Sequence, residues 1–173
     1  MDDLVLRPLA VGDEAEARAA HEELARDHFQ FLLGERDGEP WADYVARVEG
    51  WADGRDLDEG QVPSTFLIAE VGGVLAGRVS IRHALNPWLA EVGGHIGYGV
   101  RPAFRRTGLA TAMLRHGLVV DAEHGIDRAL VCCHVDNAGS RAVIESCGGV
   151  YDRLTVEDGT VGRNRRYWVP TGV

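Results

Sequence analysis

Apolar and polar positions alternate with a period near two over Asp3–Pro8, which predicts a first strand. Val11-Gly12-Asp13 then supplies a turn ending in a helix-capping residue. From Glu14 to Leu33 the period lengthens to that of a helix, with Ala17, Ala20, Leu24, Phe29 and Leu32 interleaved with charge. Gly34–Pro40 is a polar break. Trp41–Ala52 predicts a second helix, with Tyr44, Val45, Val48 and Trp51 on one stripe. After a charged loop, Asp53–Pro63, the period returns to two. Thr65–Val71 and Val74–His83 flank Gly72-Gly73, a hairpin signal. A loop over His83–Gly93 leads to a Gly-rich strand, Gly94–Val100. A helix over Thr107–Gly125, a buried strand over Arg128–His134 and a helix over Ala138–Cys147 follow. Strands at Val150–Val156 and Arg163–Val169 close the chain as a hairpin around Asp158-Gly159. The order β, α, α, β, β, β, α, β, α, β, β predicts an α/β domain.

Composition narrows the class. A chain of 173 residues with 45% apolar and 26% charged residues fits one globular domain, residues 1–173. No apolar run is long enough to span a bilayer, and the acidic Met1-Asp2-Asp3-Leu4 start lacks the regions of a signal peptide. A cytoplasmic protein is expected. The three cysteines, Cys132, Cys133 and Cys147, have no metal-ligand spacing, so no metal is expected and small buried thiols are. The net charge is −9, and Glu35–Glu59 holds nine acidic residues against three arginines, a net −6. That sign excludes nucleic acid as partner. It suits either a solvated helical surface or a rim that attracts a cationic amine.

The densest chemistry lies at Gly99–Thr111. A strand, a basic turn holding Arg105, Arg106 and Gly108, and a helix start make an anion site. Helical N–H groups there lack partners and the helix dipole adds positive charge. A Walker A string is absent, and the third glycine of a dinucleotide fingerprint falls on Pro102. What stands is Arg105-x-x-Gly108-x-Ala110.

This string resembles the pyrophosphate loop Q/R-x-x-G-x-G/A of the GNAT superfamily of acyl-CoA-dependent N-acyltransferases. Downstream, Asn137-Ala138-Gly139-Ser140 through Gly148-Gly149 resembles the superfamily's second cofactor motif, in the expected order and spacing. Together with His95-Ile96-Gly97-Tyr98, the Gly148-Gly149 ending is most similar to a branch of predicted bacterial acetyltransferases. The likeness runs from about Phe66 to Trp168. It implies a mixed sheet with antiparallel flanks, a central parallel pair and helices on both faces. It also implies acetyl-CoA as cosubstrate and direct acyl transfer to a primary amine of a small molecule or peptide. It leaves a homodimer open.

On that resemblance, the cofactor-binding set is Tyr98, Val100, Arg101, Arg105, Arg106, Thr107, Gly108, Leu109, Ala110, Thr111, Asn137 and Ser140. The catalytic set is Glu91, His95 and Asn137. Glu91, where the loop meets the central strand, leads as general base, with His95 next. His83 and His134 are further candidates. Many superfamily members carry a Tyr in the helix after the Asn motif. Ile144 stands there, and Tyr151 and Tyr167 on the last hairpin match no motif. A catalytically silent acyl-CoA-binding regulator is the competing expectation.

Overall fold

A computed structural model describes residues 3–155 and 163–172. The Asp158-Gly159 turn expected in the last hairpin lies outside the described residues. Among the described residues, seven strands and four α-helices follow the predicted order. They are β1 (Leu4–Arg7), α1 (Glu14–Ala25), α2 (Trp41–Gly50), β2 (Ser64–Val71), β3 (Val74–Arg82), β4 (Ile96–Val100), α3 (Leu109–Glu123), β5 (Arg128–His134), α4 (Ala138–Ser146), β6 (Val150–Leu154) and β7 (Asn164–Pro170).

The strands form two sheets, β1-β2-β3-β4 and β5-β7-β6, and every ladder in them is antiparallel. This corrects the expected central parallel pair: β4 and β5 form no ladder. They meet at one point. Backbone His95 N–H donates to the Leu130 carbonyl at 2.7 Å, and Leu130 N–H donates to His95 Nδ1 at 2.8 Å. An imidazole nitrogen therefore stands where a strand carbonyl would continue the pairing. His95 also holds the other sheet, since its carbonyl accepts from Arg82 N–H at 2.8 Å. Gly94 permits the contact. A Cβ there would lie 2.4 Å from the Leu130 carbonyl oxygen, and its φ is +67°.

Helices cover both faces. Phe66, Ile68 and Leu75 pack with α1 and α2 in one core. Ala69, Ala76, Val79, Ile81 and Ile96 pack with α3 in the other. The alternation of β2 and β3 thus feeds two cores rather than one core and solvent. Cross-strand partners share a face. Arg78 opposite Ile68 and Gly99, and Ser80 opposite Phe66 and Gly97, lie on the α1/α2 side with Arg82.

Helix α1 ends at Ala25, eight residues before the predicted stop. His28 turns left-handed at φ +57°, its N–H donates to Ala25, and Phe29 N–H reaches back to Leu24. This is a Schellman stop with histidine where glycine usually stands, so the sequence carries no stop signal. The released residues 29–33 drop under the first sheet, where Phe31 and Leu32 are fully buried.

Candidate functional site

From their junction at Gly94, His95 and Leu130, β4 and β5 part and enclose a cavity of about 1200 Å³. Its walls are β4, residues 132–134 of β5, the first turns of α3 and α4, and residues 26–29. On its cleft side β4 has no ladder, so that edge keeps backbone groups for a guest.

The open end is an anion cradle. Pro102–Phe104 forms a 3-10 turn, then Arg106 and Gly108 adopt φ of +64° and +87° before α3 begins. Alternating left-handed residues turn successive N–H groups toward one concavity. The first N–H groups of α3 add to it. Arg105 donates from Nε to the Val100 carbonyl at 3.2 Å and is ion-paired with Asp27. Of the twelve predicted cofactor residues, all but Arg101 and Thr107 line the cavity. Arg101 is tied to Glu23 at 2.7 Å and to the Leu75 carbonyl at 2.9 Å, and Thr107 Oγ1 donates to Phe104 O.

Midway along the cleft, the Tyr98 and Ser140 hydroxyls meet at 2.9 Å. Burial holds the Tyr98 phenol protonated, well above its ordinary range. Asn137 lines the cavity and caps α4: its Oδ1 accepts from Ser140 N–H at 2.9 Å, leaving the amide NH₂ without a partner among the described residues. Cys132 and Cys133 line the cleft too, but burial pushes the Cys132 thiol up to about 12 and raises that of Cys133, so neither is a ready nucleophile.

The expected bases separate. Glu91 sits in a π-helical turn over residues 89–93, outside the cavity lining. Arg153 grips its carboxylate at 2.6 and 2.8 Å, and Arg166 lies at 3.3 Å. These ion pairs hold the carboxylate against the last hairpin. His95 is buried, its Nδ1 is spent on Leu130, and burial followed by the Arg82 charge pushes it down to about 4. His83 bonds Thr65 Oγ1 at 2.9 Å and stacks on His124 at 3.7 Å, and desolvation lowers it. His134 is the one candidate base that lines the cavity. Its Nδ1 accepts from Asp136 N–H at 3.3 Å. Ile144 is fully buried in the core, and Tyr167 donates to Glu145 at 3.2 Å. Tyr151 is half-exposed and packs edge-on against Tyr167.

Sequence reasoning missed Asp27, His28 and Phe29 as cavity residues, because the pattern kept them inside a helix. The acidic segment, read as a solvated surface or as a rim for a cationic amine, stands apart from the cavity. Glu35 pairs with Arg18, Glu39 with Arg47, Asp58 with Arg36 and Asp53 with Arg55, and no residue of Glu35–Glu59 lines the cavity. Among the described residues no group of three or more His, Cys, Asp or Glu side chains gathers to hold a metal, and no helix is long and apolar enough to cross a membrane.

The model of the acetyltransferase (GNAT) family matches residues 11–149. The chain belongs to the GNAT acetyltransferase family. Solved members share the whole architecture at low identity. A GNAT-family acetyltransferase from Streptococcus pneumoniae aligns with TM-score 0.69 at 15% identity, covering 98% of this chain and 100% of its own. The yncA protein of Salmonella typhimurium, solved with its cofactor acetyl-CoA, gives 0.63 at 15% over 98% and 94%. A spermidine N-acetyltransferase chimera from Vibrio cholerae and hSSAT gives 0.66 at 16% over 98% and 96%. No curated protein matches the sequence significantly.

Proposed function

We propose that this protein transfers an acetyl group from acetyl-CoA to a primary amine by direct attack. The observation that carries the reading is the continuity of one cleft. It runs from the arginine- and N–H-lined cradle at α3, along the unpaired edge of β4, to the junction at His95.

The residues fit an acyl-CoA. Arg105, Arg106 and the N–H groups from Gly108 to Thr111 would hold the pyrophosphate. The edge of β4 from Tyr98 to Val100 would hydrogen-bond the pantetheine amides as an added strand. Bound acetyl-CoA supplies an activated thioester. Asn137 then offers its amide NH₂ toward the arm or thiol end. The Tyr98–Ser140 pair presents hydroxyls to the departing sulfur. His134 takes the amine proton, being the base candidate on the cavity wall. On this reading Glu91 and His95 act as structural anchors of the site.

Release of free CoA when the purified protein meets acetyl-CoA and a pool of primary amines tests the reading. His134→Gln should lower kcat by about 100-fold, the usual scale for a lost base, and erase the acidic limb of the pH profile. KM for acetyl-CoA should stay within about twofold. An unchanged profile would remove His134 from the mechanism.

Asn137→Asp keeps the cap and removes the amide donor. It should lower kcat/KM by about 10-fold or more, roughly the loss of one hydrogen bond. Its melting temperature should stay close to wild type, whereas Asn137→Ala should lose about 1 kcal/mol of stability as well. Equal kcat/KM for wild type and Asn137→Asp would confine Asn137 to capping.

A silent acyl-CoA-binding domain is the second reading. Ile144 favours it, because the position where many members carry Tyr points into the core. Tight acetyl-CoA binding with no CoA release from any amine would decide for it.

A further inference from the structure

Two arginines lie side by side on the α1/α2 face of β3, and neither meets a carboxylate among the described residues. Arg78 is accounted for. Its three nitrogens donate to the carbonyls of Gln30, Phe31 and Gly97 at 2.7 to 3.3 Å, and it stacks on Phe29 at 4.3 Å. Arg82 is not. Only its Nη1 is engaged, by long contacts of 3.4 Å to the Gly93 and Gly94 carbonyls. Its Nε and Nη2 have no partner among the described residues and are not sealed from solvent.

The position matters more than the open edge. Gly94 rests on the Leu130 carbonyl at the β4–β5 junction, just beyond the cavity lining that begins at Ile96. Arg82 Nη1 lies 3.2 Å from where a Cβ on Gly97 would be, and the Cys132 thiol lies within its field. Gly97 and Cys132 both line the cavity. The arginines that reach this end from β6 and β7 have anions of their own: Arg166 has Glu91 and Asp152, and Arg153 has Glu91. Burial depresses Arg82, as an uncompensated cation requires. A guanidinium with its Nε–Nη2 edge open is a fork that matches a carboxylate in two parallel bonds.

We propose that Arg82 is a specificity residue that seats the carboxylate of an amino-acid acceptor, with the amine of that acceptor directed to the thioester end of the cleft. This rests on the acetyl-transfer reading above and names its acceptor class. It replaces the cationic acceptor suggested by the Glu35–Glu59 charge, none of whose residues lines the cavity.

The test compares L-amino acids with their carboxamides, which keep shape and amine but lose the anion. CoA release is followed at saturating acetyl-CoA. The acid should exceed its amide in kcat/KM by at least about 10-fold, the scale of a charge-assisted hydrogen bond. Arg82→Gln should shrink that ratio to within about twofold by raising KM for the acid, with acetyl-CoA affinity unchanged by calorimetry. Arg82→Lys should restore part of it. Amides that serve as well as acids would overturn the proposal. If no amine is acetylated although acetyl-CoA binds, the enzyme reading fails separately. Calorimetry of the CoA-loaded protein then decides the anion site. Binding of acids over amides that Arg82→Gln abolishes supports it, and no such difference overturns it.

Discussion

Gly108→Glu should abolish measurable binding of CoA while leaving the protein folded. Gly108 holds φ at +87° as the residue before α3, between Arg106 and the first free N–H groups of the helix. A side chain there is strained by about 1 kcal/mol in the left-handed region. That is small against the stability of a domain of this size. The effect on the ligand is larger. A carboxylate would occupy the concavity that, on the acetyl-transfer reading, receives the pyrophosphate, competing for the same N–H groups and for Arg105. Each charge-assisted hydrogen bond lost costs about 1.5–3 kcal/mol, so affinity should fall by at least about 100-fold. Isothermal titration with CoA, beside a thermal melt of the same preparation, measures both. An unaltered affinity in the folded variant would displace the cradle from the cofactor site.

Asp121→Asn should stabilise the protein strongly near neutral pH. Asp121 lies on the buried stripe of α3, fully enclosed, and neither carboxylate oxygen has a hydrogen-bond partner among the described residues. Desolvation pushes it up to about 7, only partly offset by the nearby His124. The folded state therefore holds a proton that the unfolded chain releases near pH 4. Stability is lost as pH rises from about 4 to about 7 and stays level above. Holding a carboxyl protonated across that interval costs about 4 kcal/mol. His95 works in the opposite sense. Its folded value, about 4, lies below the unfolded one, so it lowers stability as pH falls from about 6.5 to 4. Comparing variant with wild type cancels that contribution. The gain from Asp121→Asn, read by urea unfolding, should be near zero at pH 4 and reach a few kcal/mol at pH 7 and above. A gain that does not vary with pH would mean that Asp121 is not the titrating group.

The strands, the two motifs and the cradle were legible because each rests on local pattern. Alternation marks β2 and β3, and the Arg105-x-x-Gly108-x-Ala110 string sits where a strand turns into a helix. What stayed hidden depends on partners distant in sequence. Nothing near Glu91 announces Arg153 or Arg166, so a loop carboxylate read as a base. Nothing near His95 announces Leu130, so a strand histidine read the same way. The apolar runs of β4 and β5 look alike whether the strands pair or part, so the expected parallel pair became a cleft. The end of α1 was hidden because His28, not glycine, takes the left-handed turn. Charge counted along Glu35–Glu59 could not show that Arg18, outside the segment, pairs with Glu35, or that the segment stands apart from the cavity.

The imidazole wedged between the two sheets has a consequence for reach. Because His95 bonds Leu130 through both its backbone and its ring, and Gly94 rests on the same carbonyl, the floor of the slot cannot retreat without breaking two hydrogen bonds. The distance from the phosphate cradle to that floor is fixed by the length of β4. The slot is therefore a gauge: on the acetyl-transfer reading, a pantetheine arm laid along β4 would reach a set depth.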